Sequence, residues 1–369
     1  MVMQQIALTG ANGFLGFHVR AALRELNIDA RAVAVGDGHN PSMAVNAVNG
    51  ARRLIHLAGV NRGTDEEVRD GNHRFASQIA DAILRADTPP STVVYANSTQ
   101  STNGSVYGNS KATAADTLRR AAELVGADFQ DVQLPNLFGE HGRPFYNAVT
   151  ATFCHLLANG EQPTIDRDSE LTLLHSQDAA DVLIGERGID EVRDLETRTS
   201  VSCLLRRLTR MATVYQLGEI PDVSKPIDRN LFNTYRSHAF ETTAPIRLTR
   251  HSDARGSFFE IIRTHGGNGQ SSFSTTEPGI SRGDHFHRRK IERFTVLSGT
   301  ATIALRKLFS KKIFQFDVTG DEPVAVDMPT LWSHKITNTG TGSLFTSFWA
   351  NEIFKPDAPD TVAEAVQHD

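Results

Sequence analysis

Two sets of residues, one in each half of the 369-residue chain, have types and spacing that chemistry requires. The first is Tyr107-Gly-Asn-Ser-Lys111, with Ser98 upstream at the end of an apolar run. Reducing a ketone takes a hydride and a proton. A tyrosine phenol can supply the proton, a lysine one helical turn away can lower the phenol pKa, and a serine hydroxyl can polarise the carbonyl oxygen. Tyr-x-x-x-Lys alone also fits the start of an exposed helix, and Thr99 is an adjacent hydroxyl that sequence does not rank against Ser98. The set gains weight from the loop Gly10-Ala-Asn12-Gly13-Phe14-Leu15-Gly16, which directly follows the expected first strand, Gln5 to Thr9. Glycines there permit a tight turn and close approach of backbone to a pyrophosphate, and the helix that follows offers free N–H groups and a positive dipole end. The second set is His285-x-His287-x4-Glu292 with His334 further on. Residues two apart in a strand face the same side. Three imidazoles and a carboxylate suit a divalent transition metal, zinc first, with manganese, iron and nickel open.

The elements that must carry these residues differ between the halves. Up to about residue 220, short apolar runs alternate with helical patterns: Ala32 to Val35 and Leu54 to Leu57 come first, a helical stretch around Arg74 to Arg85 leads into Thr92 to Tyr95, and another spans Lys111 to Val125. That alternation predicts βαβ units and a doubly wound, Rossmann-type parallel sheet, an α/β domain over residues 1–243. After Thr243 helical periodicity stops and short β-rich runs take over, among them Ser257 to Ile262, Glu292 to Leu297 and Leu344 to Trp349. These predict an all-β barrel over residues 244–369, with the tail after Lys355 as a polar end segment.

Composition narrows the class. Net charge is −5 and no basic run occurs, which gives nucleic acid no footprint. Two cysteines, Cys154 and Cys203, without CxxC spacing fit a reducing compartment. The N-terminus runs into the first strand without the apolar stretch of a signal peptide, and no run approaches a membrane span. A cytoplasmic enzyme with no membrane and no nucleic-acid partner is the expectation.

The first half resembles the extended short-chain dehydrogenase/reductases that act on nucleotide sugars. The residues that carry this are the glycine loop, His56-Leu57-Ala58-Gly59, Asn72, Ser98, Tyr107 with Lys111, and Pro135-Asn136-Leu-Phe-Gly139. The resemblance implies that Tyr107 is the proton donor or acceptor, that Lys111 also holds the cofactor ribose, and that Ser98 binds the substrate oxygen. It places Gly10, Asn12, Gly13, Phe14, Leu15, Gly16, Leu57, Ala58, Gly59, Asn72 and Pro135 along the cofactor, with Asn136 near the substrate. NADP(H) is the expected cofactor and NAD(H) the alternative. The stretch Val35-Gly-Asp37-Gly-His39 lacks the basic residue that usually meets a 2′-phosphate. Asp37 either binds ribose hydroxyls, as acids do in dinucleotide folds, or stands in an exposed turn. Arg143 and Arg167 are candidates for a UDP pyrophosphate, since arginine forks suit phosphate oxygens.

The second half is similar to the cupins. Both of their motifs are present: Gly279-x5-His285-x-His287-x4-Glu292-x6-Gly299 and Pro329-x4-His334-x3-Asn338. One position departs, Leu331, where the second motif usually has glycine. Asp253-Ala-Arg255-Gly-Ser-Phe-Phe-Glu260 is similar to a segment of nucleotide-sugar 3,5-epimerases. That implies substrate contacts for Arg255 and Glu260; a structural ion pair at a strand edge is the other expectation. With His56-Leu-Ala-Gly-Val-Asn-Arg62, Pro135-Asn-Leu-Phe-Gly139, Ala151-Thr-Phe-Cys154, Glu170-Leu-Thr-Leu173 and Trp349-Ala-Asn-Glu-Ile-Phe354, the chain as a whole resembles the CapF-type enzymes of capsular polysaccharide synthesis. That likeness implies a bifunctional enzyme that works in two steps: epimerisation at C3 of a UDP-4-keto-6-deoxy-N-acetylhexosamine, then reduction of the C4 ketone. It also implies a homodimer or higher homo-oligomer. A reductase whose cupin only binds sugar or assembles the oligomer remains the alternative, and a nucleotide-sensing regulator without turnover is a third.

Overall fold

Ile6–Thr9 forms a fully buried strand, β1. After it come α1 (Phe14–Glu25), β2 (Ala30–Val33), α2 (Pro41–Val48), β3 (Arg53–His56), α3 (Asp65–Leu84), β4 (Thr92–Ser98), α4 (Val106–Leu124) and β5 (Asp128–Leu134). The computed structural model describes residues 5–367. Side-chain caps start three of these four helices: Asn40 for α2, Thr64 in a capping box with Glu67 for α3, and Ser105 for α4. The strands lie in the order β2-β1-β3-β4-β5, all parallel. Each strand divides its residues between two cores. Ala7, Leu54, Val93 and Tyr95 pack with α2, α3 and α4, and Leu8, Ile55, Val94 and Val132 pack on the other face with α1. The sheet is therefore doubly wound. Its strand order reverses between β1 and β3, and ligands of open α/β sheets bind at the carboxyl ends of such a switch point.

The chain continues through β6 (Asn136–Phe138), α5 (Val149–Ala158), β7 (Glu170–His175), α6 (Ser176–Ile184), α7 (Val192–Leu195), β8 (Thr197–Ser200), α8 (Val201–Gln216) and α9 (Pro226–Thr243). Strands β6, β7 and β8 form a small second sheet, and α6 joins α1 in covering the large one. The remaining strands are β9 (Ile246–Arg247), β10 (His251–Asp253), β11 (Gly256–Phe258), β12 (Gln270–Thr276), β13 (Ser281–Phe286), β14 (Glu292–Ser298), β15 (Thr300–Lys307), β16 (Ile313–Thr319), β17 (Val324–Met328), β18 (Trp332–Asn338), β19 (Leu344–Ala350) and β20 (Val362–Ala363). Two five-stranded sheets, β12-β19-β14-β17-β9 and β16-β15-β18-β13-β20, enclose a core that includes Phe294, Ile303, Leu305, Met328 and Ile336. This is the cupin-like β architecture.

The chain divides into two compact units. One holds residues up to 138 with 145–148 and 170–199; the other holds 139–144, 149–169 and 200 onward. Residues 200–243, read with the first domain in the sequence, thus pack with the barrel. Phe240 of α9 explains why. It is buried in the barrel core, 4.8 Å from the Trp332 ring and 5.4 Å from Phe314 between centroids. The buried guanidinium of Arg236 donates to the Met328 carbonyl at 2.6 Å. The tail after Lys355 also differs from expectation, because β20 pairs with β13 instead of trailing away.

Leu331 keeps the turn that glycine usually makes. Its φ is 65°, in the left-handed region, and its side chain is fully buried. Its N–H donates to the His287 carbonyl at 2.8 Å, so the turn is tied to the metal-ligand segment.

Candidate active site and metal centre

At the switch point, β1 turns into α1 through the glycine loop. Gly10 has φ 67°, and a Cβ on it would lie 2.9 Å from the Ala58 nitrogen. A Cβ on Gly16 would lie 2.1 Å from the Gly10 carbonyl oxygen. Both positions therefore demand glycine for close packing as well as for turning. Gly13 caps α1 with no side chain to occupy the first N–H groups, which leaves this helix start open to an anion. Opposite it, the Thr9 hydroxyl accepts from the N–H groups of Leu57 and Ala58 and bonds His56 Nδ1 at 2.8 Å. That network holds the His56–Gly59 turn along the crevice. The residues present thus fit a dinucleotide: a cradle of glycines, an uncapped helix start and a turn pinned beside them.

Asn72 is buried, and its bonds go to the protein. Its amide donates to the Val60 and Val68 carbonyls and to the Ser110 hydroxyl, and its oxygen accepts from Val60. It ties the turn after β3 to the helix that carries Tyr107 and Lys111. Asp37 follows β2 in a short 3-10 helix and pairs at 2.8 Å with Arg74, both side chains well exposed. Asn136 reaches the Thr172 carbonyl at 3.3 Å, and Pro135 separates β5 from β6.

Tyr107 and Lys111 stand in the first turns of α4, with Ser98 at the end of β4. Burial raises the Tyr107 phenol pKa, opposed by a hydrogen bond with Ser98. Lys111 is buried, its ammonium donates to the Ala96 carbonyl at 2.8 Å, and it lies 4.1 Å from the centre of the Tyr95 ring. Burial pushes it down to about 7 against the pull of Asp131. The spacing predicts a lysine that lowers the tyrosine's pKa. In the structure burial raises the phenol pKa and the Ser98 hydrogen bond opposes the rise, so the phenol is protonated at neutral pH, while burial brings Lys111 down to about 7. Tyr95 and Asp131 are the partners that sequence missed. Their strands meet α4 only in the folded sheet, so no local spacing announces them.

In the barrel, His285 is the penultimate residue of β13, His287 follows the strand, Glu292 starts β14 and His334 lies on β18. His285 and His334 are cross-strand partners. One ligand atom from each of the four lies within 4.8 Å of all the others. The Nε2 atoms of His287 and His334 are buried without a hydrogen bond of normal geometry, though Glu292 Oε2 lies 2.9 and 3.5 Å away. Burial lowers the pKa of His285, to about 3, with His334 and His287 adding to it. Burial alone would raise the Glu292 carboxyl, but the His287 and His334 rings hold it well below the usual range. Bare, converging nitrogens beside an ionised carboxylate form a donor set that fits a divalent transition metal. The cluster opens into a cavity of about 300 Å³ lined by Arg282, Lys290 and Trp349 among others. Lys290 Nζ lies 3.1 Å from Glu292 Oε1 and was not anticipated.

The remaining expected contacts lie elsewhere. Arg255 is exposed and pairs with Asp253 at 2.6 Å, and Glu260 pairs with Arg263 at 2.7 Å. Neither lines the metal cavity. The short β10–β11 hairpin is exposed along both strands, so its charges find partners locally. Arg143 and Arg167 are exposed members of the second unit.

Residues 6–185 match the NAD dependent epimerase/dehydratase family, and residues 251–362 match the polysaccharide biosynthesis C-terminal domain. The chain is 31% identical over 373 residues to UDP-2-acetamido-2,6-beta-L-arabino-hexul-4-ose reductase of Pseudomonas aeruginosa, covering 98% of this chain and 99% of that one. A shorter likeness, 28% over 123 residues, covers 31% of this chain and 82% of the spore coat polysaccharide biosynthesis protein SpsL of Bacillus subtilis. Among solved structures, the capsular polysaccharide assembling protein CapF from Staphylococcus aureus superimposes with a TM-score of 0.59 at 29% identity, covering 98% of this chain and 99% of that one. The chain is an enzyme of the nucleotide-sugar reductase and epimerase type that uses a nicotinamide cofactor. It belongs to the CapF-type family of capsular polysaccharide biosynthesis enzymes, a short-chain dehydrogenase/reductase unit joined to a cupin.

Proposed function

We propose that the barrel epimerises C3 of a UDP-4-keto-6-deoxy-N-acetylhexosamine and that the first unit then reduces the C4 ketone. The product is UDP-N-acetyl-6-deoxy-L-talosamine, on the way to UDP-N-acetyl-L-fucosamine. The observation that carries this is the Ser98–Tyr107–Lys111 set beside the glycine crevice, in a chain alike end to end to a reductase named for a UDP-linked hexul-4-ose. The bound nicotinamide supplies the hydride. Tyr107, kept protonated by burial, gives its proton to the oxygen at C4 while Ser98 donates a hydrogen bond to that oxygen. Lys111 holds positive charge behind the phenol. The proton at C3 is acidic because the C4 ketone is adjacent, and reduction removes that ketone and traps the inverted sugar. His285, His287, Glu292 and His334 would hold zinc, which supplies a Lewis acid for a substrate oxygen.

NADP(H) is the proposed cofactor. Arg74 beside Asp37 brings a half-exposed guanidinium to the end of β2, where a 2′-phosphate needs a cation. A cytoplasmic homodimer completes the proposal; among the described residues no helix is long and apolar enough to cross a membrane. The test is incubation with the 4-keto sugar nucleotide in deuterated water, with and without NADPH or NADH. Deuterium at C3 without cofactor, and a reduced sugar only with it, are expected. Reduction of a pre-epimerised ketone with no C3 exchange would instead leave the barrel a non-catalytic sugar-binding or assembly role.

A further inference from the structure

A histidine ligand must present one bare ring nitrogen, so the proton on the other nitrogen needs an acceptor. His287 is buried, and its Nδ1 faces the backbone carbonyl oxygen of Asp360. A carbonyl oxygen only accepts, so the proton sits on Nδ1 and Nε2 is left bare toward Glu292. Asp360 makes a second grip on the same segment. Its buried carboxylate accepts the N–H of Arg288 at 2.9 Å, of Arg289 at 2.9 Å and of Lys290 at 2.7 Å. Those three residues lie in the four-residue stretch between His287 and Glu292. Two carboxylate oxygens suffice for three donors, whereas an amide offers one oxygen and would turn its NH2 against an N–H.

The rest of the tail fastens Asp360 to the strands that carry the other ligands. His285 and Phe286 pair with Ala363 and Val362. The Ser333 hydroxyl, next to His334, donates to the Glu364 carbonyl. Glu364 forms a buried ion pair with Arg306 at 2.7 Å, and the Val366 N–H donates to Asp284 Oδ1 at 2.8 Å.

We infer that Asp360 is a positioning residue for the metal centre, and that docking of the C-terminal segment 358–366 and binding of the metal are thermodynamically linked. The inference rests on the assignment of His285, His287, Glu292 and His334 as metal ligands. Outer partners of this kind change metal affinity by about 10–100-fold when removed. Linkage is reciprocal: whatever the docked tail adds to metal affinity, the metal adds to tail docking.

The experiment measures zinc affinity of the full-length protein by competition with a chromophoric chelator, for wild type and Asp360→Asn. In parallel, hydrogen exchange of the wild type is followed with and without zinc. Asp360→Asn should weaken zinc binding by about 10–100-fold. Zinc should slow exchange at the amides of 360–366, within the docked segment, and of 288–290, where a purely structural tail would exchange at the same rate in both states. Equal zinc affinity in the variant, or exchange in the tail unmoved by zinc, overturns the inference while leaving the metal site standing. Failure of the wild type to bind zinc at all overturns the metal assignment itself. Should Asp360→Asn not fold, the wild-type exchange decides alone.

Discussion

Lys111 sets the pH behaviour of the first unit. The groups facing it come from three strands: His56 on β3, Tyr95 on β4 and Asp131 on β5, with Tyr107 a turn away on its own helix. Burial lowers its pKa to about 7, and Asp131 opposes the fall. Lys111 is therefore cationic below pH 7 and neutral above it, while the phenol of Tyr107 stays protonated through that range. Since kcat/KM reports groups of the free enzyme, its profile for ketone reduction should fall as pH rises through about 7. Asp131→Asn should move that limb to lower pH, and a flat profile from pH 6 to 9 would contradict the assignment. Tyr107→Phe should cut cofactor oxidation by about 10²–10⁴-fold, the usual size of a general-acid contribution. Deuterium exchange at C3 should survive it, because no residue of the metal cluster is touched. At this scale the sequence is informative where chemistry depends on spacing within one segment, as for Tyr107 with Lys111 or His285 with His287. It is silent on Asp131 and Asp360, which reach their partners across long stretches of chain.

Among the elements, the glycine loop was readable because its glycines are required by close packing, and Gly16→Ala should show it. A Cβ 2.1 Å from the Gly10 carbonyl must displace the loop. The expected result is loss of cofactor binding in a titration that follows nicotinamide fluorescence, with zinc affinity unchanged. Leu331 runs the other way. The second cupin motif usually has glycine at this position, and the turn is made here by a leucine at φ 65°. Left-handed backbone costs a non-glycine residue about 1–2 kcal/mol, and burial of the side chain offsets it here. Truncating to alanine loses the burial and keeps the strain, whereas glycine loses the burial and releases the strain. Leu331→Gly should therefore be more stable than Leu331→Ala by about 1 kcal/mol in urea unfolding. Alanine as the more stable of the two would mean the turn is not strained. The tail shows the limit of periodicity: two residues of β20 carry no pattern, and their place is set by β13, whose edge they complete.

For the whole molecule, the switch from helical to β periodicity near residue 243 was easy to see, but it marks a change of secondary structure rather than the edge of a packed unit. Helix α9 has an apolar side that the sequence assigns to no particular neighbour, and the fold gives it to the barrel. Phe240 lies against Trp332, Phe314 and Phe316, and Arg236 bonds the Met328 carbonyl. A chain cut between 243 and 244 would leave Phe240 exposed on one fragment and Trp332 on the other. Burying an aromatic side chain of this size is worth about 3–5 kcal/mol by truncation to alanine, a large share of the 5–15 kcal/mol that holds a typical domain together. The fragment 244–369 should accordingly bind a hydrophobic dye and unfold without a sharp transition, and a fragment starting at residue 200 should do so less. Phe240→Ala in the full chain should lower the melting transition of the barrel, read from zinc release on heating, and leave nicotinamide binding by the first unit intact. A cooperative, dye-free fragment 244–369 with full zinc affinity would show instead that the barrel is complete without α8 and α9, and that the boundary read from periodicity is also the boundary of folding.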